Sequence, residues 1–130
     1  MTPRRPYDAI YKAGVPHDHL ALVKGRDPRR GPRADTCHWH TSGINPVFAL
    51  RVLKGRIVSS HLKDKTDYGS VGHDVPYGEG VGEIKRCLEE LKKQNFQGNI
   101  SIEYEYNFDN SLPEVTKCFD YVRQPSPAGK

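Results

Sequence analysis

The sequence predicts an α/β fold built on a parallel sheet, and three observations support this prediction. Short segments with strand character lie at residues 33–36, 57–62 and 99–106, and segments with helical periodicity follow them. A helix between successive strands returns the chain to the same end of a sheet, so the strands run parallel. Each predicted strand also carries one side chain that is able to bind a metal ion or transfer a proton: Asp35, His61 and Glu103.

Length and composition fit one domain of ordinary size. The 130 residues include 35% hydrophobic and 28% charged side chains, enough for a modest core. We predict a basic tail or linker at 1–15, the folded domain at 16–124 and a short tail at 125–130. The basic residues near the N-terminus are not interleaved with aromatic residues, and this argues against nucleic acid as a partner.

The cysteines and the hydropathy bear on the cellular compartment. Cys37, Cys87 and Cys118 are odd in number and widely spaced, so we expect no disulfide framework. No apolar run is long enough for a membrane span, and no signal-peptide core is present. We therefore expect a cytoplasmic protein without a membrane partner.

Helix signals recur between the strands. Asn45-Pro46 begins a helix well, because Asn is a good N-cap and Pro suits the first turn. The apolar stripe of this helix is Val47, Leu50 and Leu53. The clearest helix is 83–94, where apolar residues recur at helical spacing: Ile84, Cys87, Leu88 and Leu91. A shorter helix is predicted at 18–24, and a long polar loop with five glycines at 63–82.

The last helix is predicted to begin at Ser111, where Ser-Leu-Pro-Glu has the spacing of a capping box. Its predicted buried side is Leu112, Val115, Cys118, Phe119 and Val122. The strand before it, 99–106, alternates Ile and Tyr with polar residues, so one face should pack under helices. The opposite face carries Glu103 and Glu105, and we expect it to line the inside of a barrel or to form an open sheet surface.

Asp35, His61 and Glu103 form a candidate metal site, because the C-terminal ends of neighbouring parallel strands converge on one face. A set of His and carboxylate ligands suits Mn²⁺, Mg²⁺, Co²⁺ or Zn²⁺. Taken singly, each residue also has a structural explanation: a capping Asp, an interior His and a solvated Glu. The Cys37-His38-Trp39-His40 run is too tightly spaced for a zinc finger. Its His38 could contact a substrate or lie in an exposed loop.

Four segments together resemble a known family. Residues 34–39, 55–64, 73–82 and 98–105 contain, in order, Asp-Thr-x-His, His-Leu-Lys-Asp, Gly-Glu-Gly and a Gly followed five residues later by Glu. They resemble the C-terminal half of the xylose-isomerase-like TIM-barrel family of sugar phosphate isomerases and epimerases. The resemblance covers about 18–123. It implies a partial (β/α)8 barrel with about its last three strand–helix units.

The resemblance also implies the chemistry of the site. Family members bind a divalent metal through Glu, Asp, His and Glu on four strands, and Asp35, His61 and Glu103 match three of these. Glu103 would act as a catalytic acid or base in proton transfer through an enediolate on a sugar or sugar phosphate. The implied substrate contacts are His38, Asp64 and His73, and Glu105 is the second choice to Glu103.

The resemblance covers only part of a barrel. A complete (β/α)8 barrel needs roughly 250 residues. The partner glutamate is expected before Asp35, yet residues 1–33 contain no Glu. We therefore expect a truncated form, completed by a homo-oligomer or by a missing N-terminal half. One alternative is a non-catalytic half-barrel that self-associates as a binding or structural module. A less favoured alternative is a barrel-type metal-dependent nuclease.

Overall fold

The computed structural model describes residues 20–21, 24–27, 29, 31–67 and 71–124. The two predicted tails, 1–15 and 125–130, lie outside these residues. The helix predicted at 18–24 lies partly outside them; Leu20 and Ala21 are helical.

Three parallel strands form the central sheet, as predicted. They are β1 (Arg33–Asp35), β2 (Ser59–Leu62) and β5 (Asn99–Ile102), in the spatial order β1–β2–β5. Strand β5 ends four residues earlier than the predicted 99–106. The chain beyond it remains close to β2, because the N–H of Glu103 still donates to the carbonyl of Leu62 at 3.1 Å.

Helices connect and follow these strands, which confirms the α/β class. They are α1 (Thr36–Thr41), α2 (Pro46–Val52), α3 (Ile84–Lys93) and α4 (Leu112–Arg123), with a short 3₁₀ turn at Phe108–Asn110. Helix α1 was not predicted. None of the helices in the described part of the chain is long and apolar enough to cross a membrane.

The predicted N-terminal cap is present at helix α2 but not at helix α4. The Asn45 side chain accepts hydrogen bonds from the N–H groups of Val47 and Phe48, as expected of an N-cap. The predicted capping box at Ser111 is wrong. Ser111 already has helical backbone angles and its side chain makes no capping hydrogen bond. Oε2 of Glu114 instead accepts a long hydrogen bond, at 3.5 Å, from the side-chain Nδ2 of Asn107.

The core lies between the sheet and helices α1 to α3. Its apolar side chains confirm the stripes predicted for α2 and α3, and Trp39 of α1 belongs to the same buried cluster. The fully or nearly buried members are Ala34, Trp39, Val47, Ala49, Leu50, Leu53, Leu62, Tyr77, Ile84, Cys87, Leu91 and Cys118. Each large aliphatic side chain of this kind stabilises the fold by roughly 1.5–3 kcal/mol when it leaves water.

The predicted buried side of α4 is wrong for most of its length. Cys118 is fully buried, but Leu112 is 73% exposed and both Phe119 and Val122 are also exposed. Helix α4 covers β5 with only part of its apolar arc. On β5 itself, Ile100 is exposed rather than covered by helices.

The glycine-rich segment after β2 is more ordered than a simple loop. Strands β3 (Asp64–Lys65) and β4 (Asp74–Val75) pair as a small antiparallel hairpin, which corrects the predicted loop at 63–82. The carboxylate of Asp64 organises the turn that follows, and it is only 2% exposed. It accepts hydrogen bonds from the backbone N–H groups of Lys65, Gly78, Gly80 and Gly82 at 2.8–3.1 Å.

Glycines are required in this turn because its backbone lies very close to Asp64 and Lys65. A Cβ on Gly80 would lie 2.1 Å from the carbonyl oxygen of Lys65, and one on Gly82 would lie 2.8 Å from Oδ1 of Asp64. The turn therefore wraps the Asp64 carboxylate so tightly that side chains are excluded. Tyr77 adds a second anchor, because its hydroxyl donates to the carbonyl of Leu62 at 2.6 Å.

We predict that Asp64→Ala lowers the free energy of unfolding by about 3 kcal/mol or more, because buried backbone donors lose a charged acceptor. Urea unfolding followed by circular dichroism measures this change. Asp120→Ala is the matched control, since Asp120 is exposed on α4. Equal unfolding midpoints for the two variants would contradict a stabilising role for Asp64.

Candidate metal centre

The register of the sheet brings the three predicted metal ligands together. Asp35 and His61 are direct register partners on β1 and β2. His61 is also the register partner of Ser101 on β5, and Glu103 follows two residues later, on the same face. One ligand atom from each of Asp35, His61 and Glu103 lies within 4.8 Å of the other two.

Asp35 is held in place by the start of helix α1. Its Oδ1 accepts hydrogen bonds from the N–H groups of Cys37 and His38, at 3.1 and 3.2 Å, and so caps the helix. Its Oδ2 lies 3.5 Å from Nε2 of His38. The unpredicted helix α1 thus orients the carboxylate and turns His38 back toward it.

Glu103 faces two different neighbours with its two carboxylate oxygens. Oε2 lies 3.7 Å from Nδ1 of His61, and Oε1 lies 3.7 Å from Nζ of Lys63. Oε2 is buried and accepts no hydrogen bond from any described residue. A buried, unsatisfied carboxylate oxygen is costly unless a cation or another donor occupies the space beside it.

Lys63 was not among the predicted site residues, yet it lies at the centre of the charged cluster. It is 6% exposed, and its ammonium contacts Glu105 at 2.9 Å, Asp74 at 3.3 Å and Glu103 at 3.7 Å. The sequence did hold a signal for it, because a residue two positions after His61 points to the same face of the strand.

The charged side chains of this cluster shift one another's pKa values. Burial and the Asp35 carboxylate raise the pKa of Glu103 above its ordinary value. The hydrogen bond from Lys63 lowers the pKa of Glu105. Burial by itself lowers the pKa of a lysine, but the hydrogen bond to Glu105 and the charges of Asp74 and Glu103 outweigh it, so the pKa of Lys63 is raised.

The donor set fits a divalent cation. Two carboxylates and one imidazole are suitable ligands for Mn²⁺, Mg²⁺, Co²⁺ or Zn²⁺. The spacing also fits, because ligands on opposite sides of an ion with bonds of about 2.1 Å lie about 4 Å apart. Together with the unsatisfied Oε2 of Glu103, this makes Asp35, His61 and Glu103 the residues that would hold such an ion.

The other predicted site residues lie at different distances from this group. His38 borders it and its side chain is largely exposed. Glu105 is 60% exposed and turned toward Lys63. Asp64 points away into the glycine turn, where its oxygens accept backbone hydrogen bonds. His73 stacks on Tyr106, with ring centroids 4.0 Å apart, on the hairpin beside the cluster.

Sequence comparisons identify similar proteins. The model of a family described as xylose isomerase-like TIM barrel matches residues 14–120. The chain is 37% identical over 75 residues to L-ribulose-5-phosphate 3-epimerase UlaE of Salmonella paratyphi A, covering 57% of this chain and 26% of that protein. It is 39% identical over 70 residues to UlaE of Salmonella paratyphi B, covering 53% and 24%. The match thus spans about a quarter of these relatives.

Solved structures agree on the architecture. A protein of Parabacteroides distasonis ATCC 8503 superposes with a TM-score of 0.55 and 34% identity, over 83% of this chain and 43% of that one. A xylose isomerase domain protein from Planctomyces limnophilus gives a TM-score of 0.65 and 23% identity, over 82% and 40%. With the parallel sheet, these matches confirm the predicted partial TIM barrel.

Proposed function

The chain belongs to the xylose isomerase-like TIM-barrel family, and on that premise we propose that it acts as a metal-dependent isomerase or epimerase of a sugar or sugar phosphate. The observation that carries the proposal is the convergence of Asp35, His61 and Glu103 at the C-terminal ends of adjacent parallel strands. The C-terminal ends of barrel strands are where enzymes of this architecture place their chemistry.

Within the proposed site, Asp35, His61 and Glu103 hold the divalent cation. The bound cation supplies electrostatic stabilisation to negative charge that develops on substrate oxygens. Asp35 keeps its orientation through the start of α1, and His61 keeps its orientation through its place inside β2. The site is therefore built on regular elements, which hold ligand geometry more closely than loops do.

Glu103 is the proposed proton-transfer group. It removes a proton from the carbon next to the substrate carbonyl, giving an enediolate, and returns a proton to that carbon. Its raised pKa supports this role, because a general base works best when its pKa lies near the working pH. Inversion at the carbon needs a second base on the opposite face of the substrate.

The substrate class follows from the relatives. The similar Salmonella proteins are named L-ribulose-5-phosphate 3-epimerase, so a ketose phosphate is the proposed substrate of this chain. His38, beside Asp35, and His73, on the hairpin, are proposed to contact substrate hydroxyl groups. Asp64 is proposed to act at a distance, by holding the glycine turn that braces the end of β2.

A second candidate function is that of a self-associating half-barrel without catalysis. Two exposed surfaces favour it: the outer edge of β5, which no described strand covers, and the exposed apolar side of α4. Edge strands of this kind are sites for pairing with another chain. In this case the charged cluster would be a relic of the fold and would bind no metal.

We expect Asp35→Asn to weaken Mn²⁺ binding by at least about tenfold, the lower end of what even an outer-shell change costs. Asn can still accept the capping hydrogen bonds of α1, so the helix is kept while the anionic ligand is lost. Titration followed by electron paramagnetic resonance measures the affinity, with Asp120→Asn as the control. Equal affinities of wild type and Asp35→Asn would count against this cation site.

We expect the wild type with Mg²⁺ to catalyse exchange on L-ribulose 5-phosphate. In D₂O, the hydrogen on the carbon next to the carbonyl should be replaced by deuterium. One carboxylate suffices for exchange, whereas epimerisation needs a second base. Glu103→Gln should slow exchange by about 10²–10⁴-fold, the usual contribution of a general base. Proton NMR follows the exchange, and Asp120→Asn serves again as the control. Undiminished exchange by Glu103→Gln would exclude Glu103 as the base.

The half-barrel alternative predicts an oligomer that depends on α4. Leu112→Glu should convert it to monomer, because a charge would enter the covered surface, while a Glu near a helix N-terminus does not harm the helix itself. Light scattering after size exclusion measures the mass, with Lys117→Glu as the control for added charge. A monomeric wild type, or an oligomer unaffected by Leu112→Glu, would rule out this assembly.

A further inference from the structure

The proposed function leaves Lys63 without a role. Lys63 is only 6% exposed, and a largely desolvated ammonium is stable only among opposite charges. Three carboxylates meet it from two separate parts of the chain: Asp74 from the hairpin, and Glu103 and Glu105 from the segment after β5. Lys63 therefore contacts both glutamates of this face, Glu103 and Glu105, and is able to hold them in different positions.

Glu103 and Glu105 are two residues apart in an extended segment, so the sequence directs both toward the same side. The two carboxylates are hydrogen-bonding neighbours, but their other contacts differ. No atom of Glu105 belongs to the group formed by Asp35, His61 and Glu103; its Oε2 accepts a hydrogen bond from Nζ of Lys63 at 2.9 Å. Glu103 meets the same ammonium only through Oε1, at 3.7 Å, and its Oε2 faces His61.

Asp74 keeps the ammonium in this place. It is nearly as buried as Lys63 and lies 3.3 Å from its Nζ. The same carboxylate accepts a hydrogen bond from the backbone N–H of Glu105 at 2.5 Å. The Asp74 carboxylate thus holds both the ammonium of Lys63 and the backbone of Glu105.

We propose that Lys63 is a positioning residue that assigns different roles to the two glutamates. It retains Glu105 outside the cation site and turns Oε2 of Glu103 toward Asp35 and His61. This assignment rests on the proposed cation-binding function. It explains why one of two chemically equal neighbours joins the ligand group.

Affinity alone cannot test this role, because removing Lys63 also removes a positive charge that repels the cation. The visible absorption spectrum of bound Co²⁺ reports the ligands themselves and separates the two effects. The variants are Lys63→Met, Glu105→Gln and the double variant, with Lys117→Met as the control for loss of a lysine charge. Circular dichroism establishes that each variant is folded.

Wild type, Glu105→Gln and Lys117→Met should give one common Co²⁺ spectrum, since Glu105 is not a ligand. Lys63→Met should shift the bands, because the released Glu105 reaches the ion. The double variant should restore the wild-type bands, which a merely structural effect of Lys63 would not do. A wild-type spectrum for folded Lys63→Met, or altered bands that persist in the double variant, would overturn the assignment.

A second measurement needs no substitution of Lys63. In wild-type protein labelled with ¹³C at the glutamate carboxyls, Zn²⁺ should shift the resonance of Glu103 and leave that of Glu105 in place. Equal shifts of both resonances would overturn the role of Lys63 while leaving the cation site intact. Absence of any Co²⁺ or Zn²⁺ uptake by the wild type would instead overturn the proposed function, and the assignment with it.

Discussion

The parallel register of β1, β2 and β5 is the constraint on which the rest of this structure depends. Side chains alternate between the faces of a strand, so a shift of one residue in β2 would turn His61 away from Asp35. The same shift would carry Leu62 out of the core. Burial of the apolar face therefore fixes the polar face as well, and the hydrophobic core indirectly sets the geometry of the candidate metal centre.

The polar face is held together by charge rather than by packing. Lys63 neutralises part of a cluster that contains Asp74, Glu103 and Glu105, and each buried member would be costly alone. The burial of Oε2 of Glu103 without a hydrogen-bond partner remains an uncompensated desolvation cost. Sites that retain such a cost are often functional, because the group is kept ready for a ligand or a proton.

The hairpin and glycine turn after β2 support this cluster from outside. The hairpin supplies Asp74, whose carboxylate reaches both Lys63 and the backbone of Glu105. The turn supplies the donors that satisfy Asp64 and the hydroxyl of Tyr77 that bonds to Leu62. A segment that contains little regular structure thus connects the end of β2 to the end of β5.

The sequence by itself determined the α/β class and the helices α2 and α3, and it singled out the three side chains that meet in the candidate metal centre, because these follow from local periodicity, capping residues and motif spacing. It could not determine α1, since its six residues contain no apolar repeat and depend on the Asp35 cap and on burial of Trp39. Strand alternation places Glu103 and Glu105 on one face, so the preference for Glu103 came from the family resemblance, and the sequence did not show that Leu112 is exposed. Those outcomes depend on contacts between distant segments, such as Lys63 with Asp74, which only the tertiary structure brings together.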